Sequence, residues 1–210
     1  MIPGPDVVLA CPHCGAAARL FTIESGDPAG ATSWTDGYQE VPSMPRQPNA
    51  TRCPACSKFY WLAEAQQLGW LMPGVEVPPG HAAWLAAPMV EPLDEAGYYD
   101  ALASGLAQTP DQELELRVFA WWRANDRFRK TAGGFPLEER AVKNIERLVE
   151  LCADGDHEVL LFRAEALRQL GRFAEATEAL YGLCSDYAVA REKLSALIAA
   201  KSRDLAVLFT

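Results

Sequence analysis

No stretch of this chain approaches the ~18 uninterrupted apolar residues that a membrane-spanning helix requires. The longest candidate, residues 82–90, has half that length and contains Pro88. The N-terminal residues carry no basic run, and Val7–Ala10 is too short for the apolar core of an export signal. Histidine is scarce: His13, His81 and His157 lie far apart in different predicted elements. No Gly-x-Ser-x-Gly elbow, phosphate-cradling glycine loop or His-Glu-x-x-His helix occurs, so the common signatures of hydrolases, nucleotide enzymes and metalloproteases are missing. Positive charge is also short. Nineteen Lys and Arg face 28 Asp and Glu, a net −9, and four zinc-bound thiolates would take it to about −11. That balance argues against general attraction to phosphate backbones or anionic membranes.

Six cysteines remain, and four of them fall into two matching turns, Cys11-Pro12-His13-Cys14 and Cys53-Pro54-Ala55-Cys56. Each Cys-x-x-Cys turn can aim two sulfurs at one centre, and two such turns complete the tetrahedral thiolate shell that Zn²⁺ prefers. Cys11, Cys14, Cys53 and Cys56 are therefore the expected ligands of a structural zinc. Without an export signal, this spacing indicates a metal site in a reduced, cytoplasmic protein rather than a disulfide framework. His13 lies inside the first turn, but four cysteines already fill the shell, so a solvent-facing role is expected. Cys152 and Cys184 fall on or beside helical seams and read as small buried hydrophobes.

The chain divides by pattern. Val7–Ala10 and Ala18–Glu24 read as strands flanking the first turn, and Lys58–Trp61 as the strand leaving the second. Between them, Asp36-Gly37 joins two short strand-like runs and predicts a type I′ hairpin. Leu62–Leu68 predicts a short helix stopped by Gly69. Pro73, Pro78, Pro79, Pro88 and Pro92 mark 72–93 as a Pro-rich linker, in which Trp70 and Trp84 are expected to pack on something. From Asp94 onward the pattern is helical to the end. Thr109-Pro110-Asp111-Gln112 is a helix start with capping-box spacing, and Gly133-Gly134 is a break. Ala141, Ile145, Leu148 and Cys152 share one helical face. So do Leu160, Ala164 and Leu167; Phe173, Ala176, Leu180 and Leu183; and Tyr187, Ala190, Leu194 and Leu197.

Two resemblances follow. Residues 7–62, through the four cysteines, resemble a zinc ribbon, in which two knuckles sit on β-hairpins. The 38 residues separating Cys14 from Cys53 exceed the usual ~15–20, which makes the hairpin around Asp36-Gly37 an insertion. Gly15 suits the left-handed position after the first knuckle; Ser57 occupies that place in the second, which predicts a strained or differently shaped turn. The four cysteines also resemble the iron site of rubredoxins. Residues 157–183 resemble one tetratricopeptide repeat through Ala164, Gly171, Phe173 and Ala176, although Arg163, Leu183 and Ala188 depart from its pattern. At a 34-residue shift, Leu137 and Leu205 stand where Gly171 should recur, so no array is visible. The whole combination is similar to a family of uncharacterised bacterial proteins, which implies no particular activity.

The expected fold is α+β: a β-rich zinc ribbon over 1–71, a linker over 72–93 and an all-α, tetratricopeptide-like domain over 94–210. The expected function is a non-enzymatic, zinc-stabilised scaffold or adaptor binding another protein, with no catalytic residues and no membrane association. A nucleic-acid-associated ribbon and an electron carrier are the alternatives. Residues 1–75 carry four Lys or Arg against six Asp or Glu, which disfavours phosphate binding. Arg123, Arg127, Arg129 and Lys130 beside Trp121, Trp122 and Phe128 form the one basic cluster, read as a cationic helix C-terminus with its tryptophans packed inside. Glu113 and Glu115, and Glu138 and Glu139, are explained by helix starts. Trp34, Tyr38, Phe59, Tyr60, Trp61 and Trp70 are expected in packing roles.

Overall fold

The computed structural model describes residues 1–77, 79–129 and 136–210. Its strands are β1 (Ile2–Pro3), β2 (Asp6–Ala10), β3 (Ala17–Leu20), β4 (Ile23–Ser25), β5 (Thr32–Trp34), β6 (Gln39–Glu40), β7 (Ala50–Arg52), β8 (Phe59–Trp61), β9 (Gln66–Leu71) and β10 (Val207–Phe209). Its helices are α1 (Glu95–Ala103), α2 (Pro110–Arg129), α3 (Glu139–Leu151), α4 (His157–Gln169), α5 (Phe173–Leu180) and α6 (Ala188–Ala199). Small antiparallel sheets and helices together make the fold α+β. Pro78, Lys130 and Gly133-Gly134, which the sequence assigned to the linker, the basic cluster and a break, lie outside the described residues. The chain forms two compact units, one of residues 1–30 and 41–93, the other of residues 31–40 and 94–210.

In the first unit β2 is the central strand. Val7, Val8, Leu9 and Ala10 are all buried, as a strand covered on both faces should be. It pairs antiparallel with β3 on one side and β9 on the other. The helix expected over 62–68 is only a 3₁₀ turn, Leu62–Glu64, after which the chain extends into β9. The free edge of β2 supplies backbone partners that a short isolated helix lacks. Gly69 therefore stops nothing. It stands opposite Val8 beside a register shift, and the Trp84 ring lies so close that a Cβ at this position would come within 2.6 Å of it. The prolines of 72–93 do not make a connector either. Arg19 donates its amide to the Pro88 carbonyl and Val90 donates to that of Arg19 (2.8 and 2.7 Å). Thr51 Oγ1 donates to the Glu91 carbonyl (2.9 Å). This irregular segment lines β3 and belongs to the first unit. Trp84 is half-buried, whereas Trp70 is 50% exposed.

In the second unit consecutive helices pack in chain order, α1 on α2 through α5 on α6. The starts are capped as their sequences dictate. Asp94 accepts from the Gly97 amide, and Asp156 from those of Glu158 and Val159. Thr109 accepts from Gln112, whose side chain returns to the amide of Gln108, one residue earlier than a strict capping box. Ala141, Ile145, Leu148 and Cys152 are buried together. In α4 the buried residues run continuously from Ala164 to Gln169, so the C-terminal half of this helix is enclosed rather than amphipathic. Leu183 falls beyond the end of α5, and Ile198 rather than Leu197 continues the seam of α6. The chain is not helical to its end: β10 pairs with β5, giving the sheet order β10-β5-β6. The Asp36-Gly37 hairpin exists but is not type I′. Only Gly37 has positive φ (79°), and its amide closes on the Trp34 carbonyl (2.9 Å). This is a three-residue loop with a left-handed glycine at its end.

Candidate metal centre

Both knuckles are built alike. The first joins Ala10 to Ala17, paired across β2 and β3; the second joins Arg52 to Phe59, paired across β7 and β8. In each, the residue after the second cysteine donates its amide to the first cysteine's carbonyl: Gly15 to Cys11 and Ser57 to Cys53, both 2.8 Å. In each, the first cysteine's amide reaches across the turn, Cys11 to Ala16 and Cys53 to Lys58, both 2.9 Å. The turn needs a left-handed residue, and Gly15 (φ 74°) and Ser57 (φ 62°) both supply it. The second knuckle is therefore not shaped differently, as its serine suggested. Ser57 adopts the same conformation at a cost of roughly 1–2 kcal/mol.

The two turns bring the sulfurs of Cys11, Cys14, Cys53 and Cys56 within 4.8 Å of one another. Across the knuckles, Cys11 Sγ lies 3.9 Å from Cys56 Sγ, and Cys14 Sγ 3.7 Å from Cys53 Sγ. A tetrahedron with metal–sulfur bonds of about 2.3 Å has edges of about 3.8 Å, which these two separations match, and the four side chains are close enough to hold one ion. The cysteines are free thiols. Among the described residues this is the one group of three or more Cys, His, Asp or Glu side chains close enough to hold a metal.

The electrostatics of the bare cluster favour a cation. Burial raises Cys11, against the pull of the His13 and Cys14 amides. The Ala16 amide favours the Cys14 thiolate, yet burial and the three neighbouring sulfurs push that thiol up to about 12. At Cys53 burial is outweighed by the Cys56 and Ala55 amides and by Cys11 and Cys56, lowering it to about 7. One thiol thus ionises readily and resists ionisation of its neighbours, and a divalent ion at the centre removes that conflict. Tyr60 is buried against Cys11 and Cys53, with Leu62 and Ala65 packed around them. Burial, then the charge of the four cysteines, pushes its phenol up to about 12. His13 is exposed and its Nε2 bonds the Phe59 carbonyl at 3.0 Å, tying one knuckle to the strand leaving the other.

The other candidates resolve into packing and ion pairs. Arg123 pairs with Asp126, Arg127 with Glu138 and Arg129 with Asp36. Glu113 bridges Arg117 and Arg147, which holds its carboxyl at about 2: the Arg147 hydrogen bonds outweigh burial, and Arg117 adds to them. His81 stacks near Trp84 and His157 near Tyr187. Cys152 is buried, its thiol pushed up to about 11, whereas Cys184 is partly exposed.

Two buried polar networks escaped the sequence reading. Asp36, fully buried, receives both terminal nitrogens of Arg129 (2.6 and 3.2 Å) and Nδ2 of Asn125 (2.9 Å). Arg168 and Glu165, also fully buried, pair at 2.6 and 2.7 Å. Arg168 further donates to the carbonyls of Ser202 and Asp204 (2.6 and 2.8 Å). An acid and a base three residues apart within the apolar run of α4 were the available signal for the second network. For Asp36 the only signal was its place between Trp34 and Tyr38.

No helix among the described residues is long and apolar enough to cross a membrane. No protein-family model matches the chain, and neither a curated protein nor a solved structure shows significant similarity to it.

Proposed function

We propose that this chain is a non-enzymatic, zinc-stabilised scaffold or adaptor of the cytoplasm, with a zinc ribbon in its first unit and a tetratricopeptide-like helical stack in its second. The observation that carries this reading is the clustering of four cysteine sulfurs on two equivalent knuckles. Four thiolates leave no open position for water or substrate, so the ion serves structure. The first unit's sheets contain two or three short strands each, and the ~10–16 kcal/mol of apparent zinc binding energy becomes their folding energy. Cysteines spaced for a metal rather than for disulfides suit a reducing compartment.

Partner binding is supported by what the two units leave exposed. Leu68, Trp70 and Met72 of the first unit are 37–52% exposed, and Tyr181 and Val189 of the second 81% and 56%. A nucleic-acid role is disfavoured by the net charge and by the ion pairs of Arg123, Arg127 and Arg129. Elemental analysis of protein purified without added metal, with its visible spectrum, tests the centre. One colourless zinc per chain is expected; iron with visible absorption would make this an electron carrier. Zinc should be lost and the β2–β3 and β7–β8 hairpins unfold in Cys14→Ser or Cys53→Ser. Full zinc content with unchanged amide dispersion in both variants would refute the reading. Photo-crosslinkers at Trp70 and Tyr181 then test the adaptor role, which fails if neither captures a protein reproducibly.

A further inference from the structure

The segment between the two knuckles crosses from one unit to the other and back. Cys14 and Cys53 belong to the first unit, whereas residues 31–40 between them belong with the helices. This hairpin is held by specific bonds. Asp36 takes the bidentate Arg129 guanidinium and Asn125, and its carbonyl accepts from Trp122 Nε1 at 2.9 Å. The Arg129 side chain is 5% exposed and lies 4.2 Å over the Tyr38 ring. Gly37 abuts Phe162, where a Cβ would come within 2.2 Å of the ring. Thr35 donates its amide to Ala206, and β10 pairs along β5.

We propose that the 31–40 hairpin is a strap through which metal occupancy of Cys11, Cys14, Cys53 and Cys56 controls the stability of the helical unit. The inference rests on the metal-centre reading above. With the ion bound, the knuckles close the loop between Cys14 and Cys53, and the flanking strands hold both ends of the hairpin. Docking Asp36 onto Arg129 then orders little additional chain. Without the ion the flanks loosen, docking must order a much longer segment, and Arg129 stands to lose its buried counter-charge. The coupling is reciprocal: a docked strap retains the metal more firmly.

The experiment uses the full-length, zinc-loaded chain. Hydrogen exchange is followed before and after zinc removal by a soluble chelator, and zinc retention is measured by chelator competition. Zinc removal is expected to strip protection from 31–40 and from 118–129 in α2, not only from the knuckles. Asp36→Asn and Gly37→Ala are expected to weaken zinc retention about fivefold or more, within the usual span of coupling between sites. Leu180→Ala, in α5, which packs on α4 and α6, is expected to leave retention unchanged. If zinc removal leaves protection at 118–129 intact, or both hairpin variants retain zinc like the parent, the strap is overturned while the metal centre stands. A chain that takes up no zinc overturns the metal centre itself. Should the variants fail to fold, the exchange comparison on the parent chain still decides.

Discussion

Arg168→Met tests a fully buried charge network of the helical unit. Arg168 and Glu165 have no exposed side-chain surface and share two hydrogen bonds. Removing the guanidinium leaves Glu165 with Gln169 Nε2 at 3.2 Å as its remaining bonded partner. Breaking one side of a buried pair costs about 3–5 kcal/mol, because the other charge stays desolvated. The carbonyls of Ser202 and Asp204 also lose their donor. They lie in the tail before β10, which can turn them to water, so they add less. We expect a loss of about 3–5 kcal/mol in urea unfolding followed by far-UV dichroism, with faster exchange at 203–209. Adding Glu165→Leu removes the stranded carboxylate, so the double variant should be more stable than Arg168→Met alone. A loss below about 1 kcal/mol, or single-variant costs that simply add, would refute the argument.

Three further outcomes follow from the same reasoning. Ser57→Gly should stabilise the second knuckle by about 1 kcal/mol by relieving its left-handed backbone, read as slower zinc loss to a chelator. Gly15→Ala should cost a similar amount; no neighbour lies within 4 Å of its Cβ site, so a much larger loss would mean the φ argument is incomplete. Glu113 has a folded carboxyl at about 2 against an ordinary 4.5. Its contribution is complete above the higher value and disappears as pH falls toward the lower. Glu113→Gln should therefore destabilise at neutral pH by the order of 1 kcal/mol, given the exposure of Arg147, and match the parent near pH 2. A gap that persists at pH 2 would contradict this.

Much of the local structure could be read directly. The strand over Val7–Ala10, the helix start at Thr109 and the face Ala141–Ile145–Leu148 all follow from nearest-neighbour chemistry, and each lies where expected. The failures share one cause. Residues 62–68 carry a helical preference, but β9 forms because β2 offers an unpaired edge that outweighs it. Val207–Phe209 is likewise a strand only because β5 lies beside it. The prolines of 72–93 forbid a regular ladder, but they do not forbid the carbonyl contacts of Pro88 and Glu91. Trp70, expected in a packing role, is half exposed.

The two Cys-x-x-Cys turns are legible along the chain, because that spacing sets where each pair of sulfurs can point. Helix starts are legible too, because capping is a matter of a few adjacent residues. Which unit the 31–40 hairpin joins becomes clear only in the folded chain. Its position between two knuckles assigned it to the ribbon, yet a buried aspartate needs a buried cation, and the arginine that satisfies Asp36 lies 93 residues away at the end of α2. Charge pairing over such distances leaves no periodicity along the chain, so it becomes visible only once the chain has folded.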